Sequence, residues 1–136
     1  MIKEDRKILL VEDDHIDILT IKRGLKAIKS DHRLSVCLDG EEAMDYFTDI
    51  KPSDIPNLIL LDLNLPKVNG FEFLEWIKKQ PTLKRIPVIG VTTSKNPNDV
   101  KKCFELGISG YFVKPLDYFD LTSSIINYWE KSELAK

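Results

Sequence analysis

Apolar residues gather in five short runs along the chain: "KILLVE" (7–12), "LSVCLD" (34–39), "NLILLD" (57–62), "IPVIGVT" (86–92) and "GYFVK" (110–114). Most of these runs lack the strict apolar/polar alternation of a half-buried strand, so they predict strands covered on both faces. Between them the apolar spacing changes to a helical one. Ile16, Leu19, Ile21, Leu25 and Ile28 space a helix over 15–29. Ala43, Met44, Phe47 and Ile50 line one side of a second helix over 41–50, after the punctuation of Asp39-Gly40. The two prolines of "KPSDIP" end it. Phe71, Phe73, Leu74 and Ile77 mark a third helix over 70–79, stopped by Pro81. A fourth covers 97–106, with Gly107 suited to a left-handed helix end. A fifth begins with Asp117 as N-cap and runs past Trp129.

Strand and helix therefore alternate five times. That order predicts an α/β fold, a doubly wound (βα)5 three-layer sandwich with a parallel sheet and right-handed crossovers. The 136 residues suit one domain, 1–136, with a single core. In such a sheet, chemistry sits beyond the carboxyl ends of the strands. Those ends hold Glu12-Asp13-Asp14, Asp62, Thr92-Thr93-Ser94 and Lys114-Pro115.

Clustered carboxylates repel by about 1 kcal/mol per pair at ~4 Å in water and more where water is scarce. A cation relieves that repulsion, and an all-oxygen donor set suits Mg²⁺. His15 and His32 have no transition-metal spacing, and a solvated position on the first helical turn is the favoured reading of His15. Asp14 reads as a helix cap, paired with Asp17 three residues on. Asp62 does not, because "LNLPKVNG" separates it from the next helix. Lys114 and Thr92 add an ammonium and a hydroxyl around this carboxylate. Together they make a receptor for a tetrahedral dianion, with Asp62 able to accept a phosphoryl group.

Composition narrows the field of partners. The formal charge of -2 argues against nucleic acid or an anionic membrane surface as the main partner. No apolar run approaches the roughly 20 residues of a spanning helix. The N-terminal "MIKEDRK" is charged and unlike a signal peptide, so a cytoplasmic location is expected. Cys37 and Cys103 have no redox or metal spacing and read as small apolar residues in a reducing compartment.

The motifs "VEDD", "LLDLNLPKVNG", "VTTS" and "GYFVKP" resemble those of the response-regulator receiver domain of two-component signalling, over about residues 6 to 130. The resemblance implies a flavodoxin-like sheet in the order 2-1-3-4-5. It implies Mg²⁺ bound by Asp13, by Asp62, by the backbone carbonyl of Asn64 and, through water, by Glu12. It makes Asp62 the residue phosphorylated by a sensor histidine kinase, with Lys114 and Thr92 on the phosphoryl group. Pro66 and Gly70 shape the loop, Tyr111 is an aromatic switch, and Asn64 and Ser94 tune the phosphoryl lifetime. A cis Lys114–Pro115 bond is implied too. Glu12 and Thr93 depart from the commonest pattern, which has Asp and a small residue there. "DLNLP", "KRIPVIGVTTS" and "NYWEK" most resemble stand-alone regulators that partner phytochrome-type kinases.

The protein is then a signalling protein, not an enzyme beyond its own aspartyl phosphorylation and dephosphorylation. No output domain is expected after helix five, so output is a change in protein binding. The fifth helix carries Leu121, Ile125, Tyr128 and Trp129 in one stripe, broadened by Phe119 and Ile126. The extra residues either pack under loops or, with Trp129, form a homodimer face with helix four and strand five. Two rival readings stand beside this one. A receiver-like binding module could signal without phosphate, though such modules usually lack one of Asp13, Asp62, Thr92 and Lys114. A Mg²⁺-dependent phosphatase would need a second acid where Asn64 stands.

Overall fold

The computed structural model describes residues 6–26, 32–65, 68–115, 117 and 120–127. Five strands form one parallel sheet: β1 (Arg6–Val11), β2 (His32–Cys37), β3 (Leu58–Asp62), β4 (Val88–Thr92) and β5 (Gly110–Val113). Their order is β2-β1-β3-β4-β5, as the resemblance implied. The helices are α1 (His15–Lys26), α2 (Gly40–Phe47), α3 (Gly70–Lys78), α4 (Pro97–Glu105) and α5, seen over 120–127. A short 3₁₀ turn, Pro52–Asp54, precedes β3.

The three layers follow from the period-two geometry of the central strands. Leu9 and Val11 of β1, with Ile59 and Leu61 of β3, meet Ala43, Phe47, Phe73, Leu74, Ile77 and Cys103 of α2, α3 and α4. Ile8, Leu10, Leu58 and Leu60 face the other way, onto Ile18, Ile21 and Leu25 of α1 and Leu121 and Ile125 of α5. All five residues of β3 and all five of β4 are buried. Both central strands must therefore be apolar until they leave the core, and they leave it at Asp62 and Thr92.

One expectation about a helix face needs correction. Ile16 and Leu19 do not enter the core: they are 74% and 55% exposed. The buried face of α1 is Ile18, Ile21 and Leu25. At 100° per residue these three share one side, and Ile16 and Leu19 fall outside it. Ile28 lies outside the described residues. On α5, Ile126 is half-buried and packs against the α1/α5 core. Phe119, Tyr128 and Trp129 lie outside the described residues, as does Pro66.

The helix ends behave as their residues dictate. Asn69 caps α3 and accepts from the Glu72 amide. Asp117 accepts from the Asp120 amide at 3.2 Å. Gly107 follows α4 with φ of +92°, the left-handed turn that favours glycine. The Lys114–Pro115 bond is cis. No helix among the described residues is long and apolar enough to cross a membrane.

Candidate functional site

The carboxyl edge of the sheet brings Glu12, Asp13, Asp62, Thr92 and Lys114 together. β1 delivers Glu12, whose amide continues the ladder by donating to the Cys37 carbonyl at 3.0 Å. Its side chain is fully buried. Asp13 follows, exposed. β3 delivers Asp62, 4% exposed, with Oδ1 accepting from the Asn64 amide at 2.9 Å. Behind it, Gly70 lets α3 close onto this strand end: a Cβ there would lie 2.5 Å from the Asp62 carbonyl oxygen.

Lys114 is placed by β5, its amide donating to the Thr92 carbonyl at 2.7 Å. Its ammonium donates to Glu12 Oε1 at 2.8 Å, Asp17 Oδ2 at 2.8 Å and Asp62 Oδ2 at 3.2 Å. Burial alone lowers the pKa of this amine, but the hydrogen bonds to Asp17 and Glu12, with the Asp62 charge, more than offset it and raise it above the ordinary lysine range. Glu12 moves the other way for an acid. Burial and a hydrogen bond shared with Asp62 push it up to about 8, against the pull of Lys114.

Thr92 is fully buried. Its hydroxyl oxygen accepts from the Asn64 side-chain amide at 2.9 Å and from the Ser94 amide at 3.2 Å, and its own proton is the one it can donate. The Asn64 amide also reaches Thr93 Oγ1 at 3.2 Å. Ser94 Oγ donates to Asp99 Oδ2 of α4 at 2.6 Å. The Tyr111 hydroxyl donates to the Ser94 carbonyl at 2.9 Å, with its ring packed against the core. A hydrogen-bonded chain thus runs from the loop after β3 to α4 and β5.

Glu12, Asp13 and Asp62 each offer an oxygen that lies within 4.8 Å of the others. Oxygen donors of this kind fit a hard divalent cation such as Mg²⁺. Asp14 serves α1 instead: its Oδ1 accepts from Ile16 and Asp17 amides at 2.8 and 3.0 Å, and the Asp17 amide is the main cause of its lowered pKa. Sequence reasoning missed Asp17, read there only as part of a capping pair. The available signal was its spacing, one helical turn after Asp13. Asp99, the partner of Ser94, was missed as well.

A parallel 2-1-3-4-5 sheet with acids at the ends of strands one and three, a hydroxyl at the end of strand four and a lysine before a cis proline defines the receiver class of signalling domain. Residues 8–126 match the response regulator receiver domain family, and the chain belongs to that family. It is 43% identical over 128 residues to the response regulator Rcp1 of Synechocystis sp., covering 90% of this chain and 87% of that one. Among solved structures, the Mn²⁺-bound form of Rcp1 is similar at a TM-score of 0.76 and 42% identity, covering 88% of each chain. The phosphorylated cyanobacterial phytochrome response regulator RcpA is similar at a TM-score of 0.81 and 38% identity, covering 94% of this chain and 96% of that one.

Proposed function

We propose that this response regulator accepts a phosphoryl group on Asp62 from the phosphohistidine of a sensor kinase of the phytochrome type. The observation that carries the reading is the position of Asp62. It is an acid at the buried end of β3, 3.2 Å from the Lys114 ammonium and within one oxygen cluster with Glu12 and Asp13. The likeness to the cyanobacterial phytochrome response regulator RcpA supports the choice of kinase.

Asp13, Asp62, the Asn64 carbonyl and, through water, Glu12 would hold Mg²⁺, which supplies positive charge where the donor phosphate and the carboxylate would otherwise repel. The rest falls to the side chains. An Asp62 carboxylate oxygen forms the new P–O bond while the P–N bond to the imidazole breaks, its electron pair leaving with the ring nitrogen. Lys114 offers an N–H and a charge to the phosphoryl oxygens. Catalysis of this kind is positioning and electrostatics, and both are in place before the donor arrives.

The Thr92 hydroxyl then turns its proton to a phosphoryl oxygen and loosens from Asn64. Ser94 is two residues on and holds the Tyr111 hydroxyl, so its displacement shifts Tyr111. Asn64 and Ser94 tune the lifetime of the phosphoryl group. The α4, β5 and α5 face changes, and binding to a partner protein or to a second copy reads it out. Phe119, Ile126 and Trp129 are the α5 candidates for that face, with Ile126 contributing little because it is already half-buried. The location is cytoplasmic.

Intact mass after incubation with a small phosphodonor and Mg²⁺ tests the reading. One added phosphoryl group on the wild type, and none on Asp62→Asn, is expected. No adduct on the wild type would favour the phosphate-independent binding module.

A further inference from the structure

An ammonium has three N–H donors, and Lys114 directs its own at three carboxylates. Two of them, Glu12 and Asp62, belong to the strand-end cluster. The third, Asp17, belongs to α1, lies 97 residues away in sequence and makes a contact as short as that of Glu12, 2.8 Å. Its side chain is 34% exposed. An acid in the first turn ordinarily serves its own helix, through the dipole or a capping box. Here Asp14 supplies the cap to both amides, and Asp17 Oδ2 is spent on Lys114.

We propose that Asp17 is a positioning residue for phosphoryl transfer, drawing the Lys114 ammonium toward α1 and so keeping it from closing further on Asp62. This rests on Asp62 being the phosphoacceptor. The longest of the three contacts is the one to Asp62, as the pull from α1 requires. Lysine is a point charge on a flexible stem, so with Asp17 gone the ammonium, still held by Glu12, moves toward Asp62. It then covers an Asp62 oxygen that has to attack phosphorus, and it competes with the divalent cation for Glu12 and Asp62. With Asp17 present, one N–H stays anchored on α1 and another is free to follow the phosphoryl oxygens once Asp62 is phosphorylated.

The test uses the full chain, with acetyl phosphate as donor so that kinase docking plays no part. Phosphorylation rate and calorimetric Mg²⁺ affinity are measured for wild type, Asp17→Ala, Asp17→Asn, Asp17→Glu, Lys114→Met and the Asp17→Ala/Lys114→Met double variant. Both quantities should fall about tenfold in Asp17→Ala and Asp17→Asn, and Asp17→Glu should recover most of the loss. In the Lys114→Met background, Asp17→Ala should change Mg²⁺ affinity by less than about twofold. A wild-type rate in a folded Asp17→Ala or Asp17→Asn protein overturns the proposal. So does an equal loss of Mg²⁺ affinity with and without Lys114, which would make Asp17 a distant charge and not a partner of the lysine. A wild type that takes no phosphoryl group sinks the Asp62 reading itself, and the Mg²⁺ cycle still reports on Asp17.

Discussion

The side-chain amide of Asn64 donates to the hydroxyl of Thr92 across 2.9 Å, joining the loop after β3 to the end of β4. In the proposed transfer, the same hydroxyl turns to a phosphoryl oxygen on Asp62. Asn64 therefore holds Thr92 in its resting arrangement. Asn64→Ala removes that half-exposed bond and the one to Thr93, at a cost of about 1 kcal/mol in stability. Urea unfolding should show the midpoint falling with an unchanged slope, and acetyl phosphate should still add one phosphoryl group.

Burial of Glu12 makes metal binding depend on pH. With its pKa near 8 in the metal-free fold, Glu12 is largely protonated at pH 6.5 and must lose that proton to take its place beside the cation. Mg²⁺ affinity should rise from pH 6.5 to 8.5, with proton uptake by the buffer. Calorimetry in two buffers of different ionisation enthalpy measures the released proton directly.

The same group sets a stability trend of known sign. Its folded pKa is raised from the ordinary 4.5 to about 8, so the folded state holds a proton that the unfolded chain has lost between those values. Its contribution to stability is full below about pH 4.5 and is lost as pH rises through about 8. Metal-free protein should therefore have a higher urea midpoint at pH 6 than at pH 8 from this group, and Glu12→Gln should flatten the difference.

Gly70 is where a single methyl group would disturb the acceptor most. Its Cβ would meet Leu63 Cα at 2.4 Å and the Asp62 carbonyl at 2.5 Å, backbone atoms that cannot swing aside. Gly70→Ala should destabilise by about 1–3 kcal/mol and slow phosphorylation, because the displaced backbone carries Asp62. The paired measurement is a thermal melt and the acetyl phosphate rate on one sample.

Strands proved legible because β3 and β4 are buried on both faces, so nothing polar interrupts them until Asp62 and Thr92. Their ends located the acids, the hydroxyl and Lys114 without any contact being known. The strand order was not readable from alternation and came from the resemblance. The face of α1 was misassigned because Ile16, Ile18, Leu19 and Ile21 are all apolar, and spacing alone does not say which of them the sheet covers. Asp17 was hidden for a different reason. Its partner is a lysine 97 residues away in sequence, and at short range it looks like any acid in a first turn.

The central claim is that the carboxylate at the end of β3 carries the phosphoryl group, and site mapping tests it most directly. Protein phosphorylated with acetyl phosphate and Mg²⁺ is reduced with borohydride, which converts an aspartyl phosphate to homoserine, then digested and sequenced by tandem mass spectrometry. Homoserine at position 62 and at no other acid is the predicted result. Homoserine at Asp13, 5-hydroxynorvaline at Glu12 (the product a reduced glutamyl phosphate leaves), or no reduced acid in protein of confirmed fold, would contradict the account.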